Sequence, residues 1–342
     1  MQQQEENQPP IEAEDSGVDD ASSVGGFSSD ESSASLRSSI LDYRRENGRT
    51  YHRMSDGKYA LPNDDREQER LDMANHIWML AIDGDFCKCP KNDGTTAKRV
   101  LDLGTGTGVW ALDYADAHPN AIVLGVDLSP IQPQFVPPNC SFEVDDLEKE
   151  WTWSKPFDFI MSRSMMGSFS DWEKTIAQAY AHLEPGGYFE IQDTLWPHIS
   201  DDGTLKEDSA LYKYGQLMVE AFNKMERPLD ITNQFPAMME AAGFEEVTRI
   251  PVKFPASPWP KDKKLREIGE WSLEMMLPGL EGMTLGPFTR FLGWSAAETI
   301  VFCAELRKDL LNLDIHAYWN GSVVYGRKPL EEEEEEEEEG SD

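Results

Sequence analysis

The residues with the clearest chemical potential lie in the run VLDLGTGTGVWA, Val100–Ala111. An apolar stretch ends in Asp102, turns through Gly104, Thr105, Gly106 and Gly108, and enters a helical pattern. Glycine accepts positive φ and lets a ligand approach the backbone closely, and the helix start beyond offers unpaired N–H groups. A P-loop would need Gly-Lys-Ser/Thr after the turn, and none follows. A dinucleotide fingerprint would need a third glycine at position 109, which is Val109. Asp102 stands two residues before the first glycine, where it repels a pyrophosphate and attracts the ammonium of a methionine moiety. The spacing therefore favours S-adenosyl-L-methionine over NAD. A tight turn that holds no ligand is the plainer alternative.

Two further segments supply acids in the same order. In VLGVDLSP, Val123–Pro130, Asp127 ends an apolar run and Leu128 follows it. An acid there is placed to accept both ribose hydroxyls. In FEVDDLEKEW, Phe142–Trp151, Asp145, Asp146 and Leu147 close the next run. A carboxylate there can accept from the adenine amine while the following N–H reaches a ring nitrogen; Asp146 is favoured over Asp145. The run beginning FDFIMSR, Phe157–Arg163, should end near Ser162 and Arg163, where a transferred methyl would point, which adds Arg163 to the cofactor-binding set. Met165 and Met166 are placed to line the sulfonium side, although core packing is their plainer role.

Candidates for a base are Asp193, His52 and His76, chosen by location, with hydrogen-bonded structural roles as the alternative for each histidine. An acidic acceptor such as a carboxylate or phenol needs no base. His118, His182 and His316 are expected to be structural. Arg49, Tyr51 and His52 would belong to a lid if the tyrosine lay over the cofactor or the arginine on its carboxylate. Cys87 and Cys89 form a C-x-C pair without a second pair or a nearby histidine, so no metal site is expected.

These groups must be positioned by alternating strands and helices. Short apolar runs mark strands at Arg99–Leu103, Ala121–Val126, Ser141–Val144, Phe157–Met161, Gly187–Gln192, Glu246–Pro251 and Gly321–Tyr325. Helices are expected at Val109–His118, Asp171–Leu183 and Asn233–Ala242, with Asp171 as an N-cap and Pro185-Gly186-Gly187 as a turn before the next strand. From about Lys261 to Leu313 the pattern is helical, with breaks at Pro278 and Gly282. The alternation predicts an α/β fold, a doubly wound and mostly parallel sheet, whose ligands sit beyond the carboxyl ends of the strands. A cap segment at 41–97 precedes a main domain at 98–330, which carries the helical insertion at about 261–313. Both the cap segment and the insertion are placed to cover the mouth of the sheet.

Charge excludes some partners. The formal net charge is −33 over 342 residues. Nine acids against Arg37 in residues 1–40, and nine glutamates plus Asp342 in residues 331–342, account for 18 of it, leaving −15 on the remainder. An acidic field disfavours phosphate backbones, so direct nucleic-acid binding is not expected. Both ends lack the large apolar side chains that offset ordering entropy and are expected to be disordered. No apolar run approaches the roughly 20 residues needed to span a bilayer, and the N-terminus has no signal-peptide pattern. Few cysteines suit a reducing compartment, cytoplasmic or nuclear.

The ordered motifs resemble those of class I Rossmann-type methyltransferases and, more narrowly, the fungal LaeA-like methyltransferases. The narrower likeness rests on ENGRTYHRMSDGKYALPNDDREQERLDMANHIWML (Glu46–Leu80), FVPPNCSFEVDDLEKEW (Phe135–Trp151) and IHAYWNGSVVYGRKP (Ile315–Pro329). It covers residues 40–329 or so, and the 46–80 block is specific to this group. The resemblance implies a seven-stranded sheet with an N-terminal helical extension and a helical insertion before the last strand. It also implies S-adenosyl-L-methionine as cofactor, with Asp102, Gly104, Gly106, Gly108, Asp127 and Asp146 at matching motif positions. The activity implied is methyl transfer to an oxygen or nitrogen of a small-molecule or protein acceptor. It would serve secondary metabolism directly, or regulate it within a complex that includes a velvet-type protein.

Overall fold

The computed structural model describes residues 43–52, 57–92 and 96–330; the expected acidic head and poly-Glu tail lie outside them. The chain enters as a short hairpin, β1 (Arg44–Glu46) and β2 (Arg49–Tyr51), followed by α1 (Asp65–Ala81). The segment before the main sheet thus contains the expected helix, preceded by a short hairpin. Asp64 caps α1 by accepting from the Glu67 N–H.

The first half of the main sheet alternates as predicted. β3 (Arg99–Leu103), α2 (Val109–Ala117), β4 (Ile122–Asp127), β5 (Cys140–Val144), β6 (Phe157–Arg163), α3 (Trp172–His182) and β7 (Leu183–Ile199) follow in order. β3, β4 and β6 are apolar along nearly their whole length because helices cover both faces of the sheet. Asp171 caps α3 as expected, accepting from the Lys174 N–H at 2.8 Å. The predicted turn at Pro185–Gly187 is absorbed into β7. Gly186 keeps a positive φ of 78°, and the β6–β7 register is irregular between Phe157 and Phe159.

The second half adds α4 (Ala210–Lys224), which the apolar pattern did not reveal, then α5 (Phe235–Ala241), β8 (Glu245–Pro255), α6 (Lys263–Phe291), α7 (Ala296–Leu310) and β9 (Tyr318–Arg327). The sheet order is β5-β4-β3-β6-β7-β9-β8. The first five of these strands run parallel, while β9 is antiparallel to both its neighbours. In register, Asp102 lies beside Gly125 and Met161, and Asp127 beside Val144. The carboxyl ends of β3, β4, β5 and β6 therefore share one edge of the sheet.

The expected breaks at Pro278 and Gly282 do not interrupt α6, which is continuous through Pro278 and Pro287. Its glycines answer to contacts. A Cβ on Gly279 would lie 2.9 Å from Arg70 Cδ, one on Gly282 would strike the Arg49 guanidinium, and one on Gly286 the Ala60 carbonyl. The glycines let the segment after β2, and α1 itself, settle directly on α6. Around them one buried cluster joins Trp78, Phe222, Phe254, Phe288 and Trp319. Leu101, Trp172 and Phe235 belong to a second cluster, and Trp110 and Tyr114 to a third.

In an exposed helix, glycine to alanine stabilises by roughly 0.5–1 kcal/mol. At Gly286 the sign should reverse: Gly286→Ala is expected to destabilise by about 1–3 kcal/mol, because backbone must move. Urea unfolding checks this, and a midpoint equal to or above that of the parent chain would rule out the close approach of Ala60.

Candidate active site

A cavity of about 900 Å³, counted to its open mouth, lies along the shared edge of β3, β4, β5 and β6. Gly104, Gly106, Asp127, Leu128, Asp145, Asp146, Leu147 and Arg163 all line it. Gly104 and Gly106 have φ of 67° and 57°, so the turn that favours glycine is also the turn that presents bare backbone to the cavity. Asp127 is held by two backbone donors, Gly106 N–H at 2.9 Å and Ser129 N–H at 2.9 Å, one to each oxygen. Burial still pushes it up to about 6 against those bonds.

Three predicted residues lie outside the cavity lining. Asp102 is buried beneath the turn, is not among the residues that line the cavity, and accepts from the Thr105 hydroxyl at 2.6 Å through one of its two oxygens. Burial pushes it up to about 7, opposed by the Thr105 bond and by Arg163. Gly108, with φ 82°, starts α2 over the ring of Phe142. These groups build the turn from below.

Arg163 lines the cavity, yet its guanidinium is engaged by protein: Gln192 Oε1 at 2.8 Å, Asn75 Oδ1 at 2.5 Å and the Phe86 carbonyl at 3.1 Å. Burial lowers it to about 10, although Asp102 and Glu190 pull the other way. Of the two adjacent acids, Asp146 is buried and Asp145 exposed. Lys58 reaches both Asp146 at 2.6 Å and Glu148 at 3.0 Å. Burial would raise Glu148, but bonds from Arg227, Ser170 and Lys58 outweigh it and bring the group down to about 2.

Residues of the cap segment line this cavity, and of the three expected lid residues only His52 is among them. Arg49 is paired with Asp64, and Tyr51 is buried under the guanidinium of Arg290, 4.3 Å from the ring centre. The residues that face the cavity are His52, Lys58, Tyr59, Pro62 and Asn63. Lys58, Tyr59 and Asn63 were missed because only the family-specific block marks them; no local periodicity does.

The base candidates separate. His52 lines the cavity, with Nε2 3.3 Å from the Tyr59 carbonyl. His76 packs edge-on against Trp271 and lines no cavity described here. Asp193 is fully buried. One oxygen accepts from the Met165 and Met166 N–H groups at 2.9 and 2.8 Å, and the other accepts from Thr194. Burial raises it to about 7. Its work is to pin the loop after β6. His118 and His182 bond carbonyls four residues before them, in α2 and α3, and His316 Nδ1 lies 2.6 Å from Asp202 Oδ2, 114 residues away in sequence. His198 escaped the sequence reading. It lies 3.9 Å from the ring of Trp319 with neither nitrogen partnered among the described residues, and burial drops it to about 3.

Cys87 and Cys89 do have a third neighbour, Glu190, unseen in the sequence. Its carboxylate accepts from the Lys88 and Cys89 N–H groups and from Gln192, and burial raises both thiols. The group is thereby tied into the packing.

A second cavity, of about 1000 Å³ to its mouth, shares Tyr59, Leu71 and Ser164 with the first. Ser164 stands at the junction with φ 57°, a strained value for serine, and its hydroxyl accepts from Trp78 Nε1 at 3.0 Å. Met165 lines the first cavity and Met166 the second. No helix among the described residues is long and apolar enough to cross a membrane.

Known proteins resemble the chain along most of its length. The methyltransferase domain family matches residues 44–249. Methyltransferase pytC of Aspergillus terreus is 40% identical over 301 residues, covering 88% of this chain and 92% of that protein. The secondary metabolism regulator laeA of Monascus pilosus is 36% identical over 291 residues, covering 83% and 78%. Among solved structures, a Haemonchus contortus phosphoethanolamine N-methyltransferase 2, in complex with phosphomonomethylethanolamine and S-adenosylhomocysteine, aligns with a TM-score of 0.42 at 19% identity, over 68% of this chain and 49% of that one.

The raised pKa of Asp102 has a stability consequence. An acid whose folded pKa exceeds its unfolded value contributes fully below the unfolded pKa, near 4, and loses that contribution as pH rises towards about 7. Asp102→Asn removes the titration while keeping an acceptor for Thr105. Relative to the parent, the variant should therefore gain stability between about pH 5 and about pH 8 in urea unfolding. A gap between the two proteins that stays constant across that range would show that Asp102 does not titrate there.

Proposed function

The chain belongs to the methyltransferase domain family, and from that premise we propose that it moves a methyl group from S-adenosyl-L-methionine to an oxygen or nitrogen of a small molecule of secondary metabolism. One observation carries the reading: the glycine turn and the acids Asp127, Asp145 and Asp146 border one cavity at the aligned ends of parallel strands. The donor set suits this ligand. Gly104 and Gly106 hold positive φ in the turn that borders the cavity, and the side chain of Met165 packs directly against Gly104. The carboxylates favour a molecule that carries cationic groups and donates hydrogen bonds.

In this reading Asp127 accepts from the ribose hydroxyls, each of its oxygens using a lone pair beyond the one already given to Gly106 or Ser129. Asp146 accepts from the adenine amine alongside Lys58, with the Leu147 backbone against the ring. The cofactor supplies an activated methyl on a sulfonium, so the protein's part is chiefly orientation and exclusion of water. Such proximity is worth roughly 7–11 kcal/mol in favourable systems. Ser164 and Tyr59, which line both cavities, stand where donor and acceptor would meet.

Similarity to the Monascus pilosus regulator supports a second reading, in which the chain acts within a protein complex, with a velvet-type protein as the partner to test. The size and apolar lining of the second cavity favour a small acceptor.

Asp127→Ala is expected to weaken S-adenosylhomocysteine binding by roughly 100-fold or more, as two charge-assisted bonds are lost. Calorimetry on the full chain checks this, and unchanged affinity would remove the ribose site. Incubation with methyl-labelled cofactor in a cell extract distinguishes the two readings. Label in solvent-extractable small molecules supports the first, and label confined to protein supports the second.

A further inference from the structure

The second cavity is walled mostly by aromatic, aliphatic and thioether side chains, with the hydroxyl residues Tyr59, Ser164, Thr194 and Ser272 among them and one charged exception. Trp78, Trp196, Phe222, Phe254 and Trp319 offer flat aromatic faces, and Met275, Met276 and Met283 add polarisable, adaptable side chains. The exception is Arg70. Its guanidinium is buried and gives Nε at 2.9 Å and Nη2 at 2.7 Å to a single oxygen, Oε1 of the buried Glu67. The remaining nitrogen, Nη1, has only the weak acceptor Met275 Sδ at 3.9 Å among the described residues. A guanidinium with unspent donors in an apolar chamber is a strong seat for an oxygen that carries charge.

The lining is also informative in what it omits. Among the described residues, no carboxylate and no imidazole borders this cavity; Arg70 and Tyr59 are its only titratable groups. His52 borders the first cavity only. An acceptor seated here finds no side chain of ordinary basicity to take its proton.

Resting on the methyltransferase reading above, we infer that the second cavity binds the acceptor as a flat, largely apolar aryl or polyenyl anion. The molecule would be an acidic O–H compound, a carboxylic acid, phenol or enol, that has already lost its proton to water and whose oxyanion is held by Nη1 of Arg70. The acceptor oxygen then uses a lone pair to form the O–CH₃ bond as the methyl–sulfur bond breaks and leaves its electron pair on sulfur. The product is a neutral ester or ether. It no longer carries the charge that Arg70 holds, which favours its release.

The test uses 2-naphthoate and its neutral counterpart methyl 2-naphthoate as probes, titrated by calorimetry into the full chain saturated with S-adenosylhomocysteine. One-to-one naphthoate binding is expected, at least about tenfold tighter than the ester. Arg70→Met combined with Glu67→Gln removes the ion pair as a unit and should erase that preference. Ala74→Trp fills the chamber from α1, at a residue that lines only this cavity, and should abolish binding of both probes. In both variants S-adenosylhomocysteine affinity should stay within about twofold of the parent. If the double variant does not fold, Ala74→Trp alone carries the test. Retained S-adenosylhomocysteine binding with no naphthoate binding, or with binding indifferent to Ala74→Trp, overturns this inference and leaves the cofactor reading standing. Failure of S-adenosylhomocysteine to bind the parent chain overturns both.

Discussion

Parallel pairing of β3, β4, β5 and β6 is the constraint from which the rest of the molecule follows. Parallel strands need crossovers, the crossovers cover both faces, and the strands become apolar throughout. Their ends are then the places where polar chemistry can concentrate. At that edge the chain gathers Asp102, Asp127, Asp145 and Asp146 within one neighbourhood. Burial carries a cost, visible in the raised pKa values of Asp102 and Asp127. Such perturbed groups in a cleft are characteristic of working sites.

The roof over that edge is built from distant sequence. Residues 43–52 and 57–80 are joined to each other by Arg49 to Asp64 and tied to the rest by Glu46 to Arg290 at 2.7 Å and by Lys58 to Asp146 and Glu148. Half-buried ion pairs of this kind contribute modestly to stability, but they fix register. The apolar contribution comes from α6, whose glycines admit the roof at backbone distance. A helix with two internal prolines and several glycines would be weak by propensity alone. Here tertiary contact overrides propensity, and the weakness is the means by which two remote segments fit together.

Two cavities of opposite character meet at the loop after β6. The first is edged with carboxylates and cations, the second with aromatic and thioether side chains. Asp193, beneath the loop, holds the Met165 and Met166 amides and so decides which methionine borders which cavity. A buried carboxylate committed to three backbone donors is suited to positioning, and although it bonds residues of both linings it lines neither cavity itself.

Local sequence determined the elements whose cause is local. The apolar runs of β3, β4 and β6, the glycine turn at 104–108, the Asp171 cap and the order of the strand-end acids were all legible. Each depends on neighbours within a few residues. The preference for Asp146 over Asp145 came from counting back from Phe157, and both acids line the cavity. Tertiary structure decided everything whose partner is remote. Pro278 and Gly282 read as breaks until Arg49 and Ala60 were placed against α6. That Asp102 is buried under the turn with the Thr105 hydroxyl on one oxygen was likewise decided by the tertiary structure. Lys58, Tyr59 and Arg70 carry no chemical motif beyond their family-specific block, and only the tertiary packing gives them a place beside the cavities. Period and spacing record what a residue does to its own backbone, while the surfaces that meet across hundreds of residues leave no period to read.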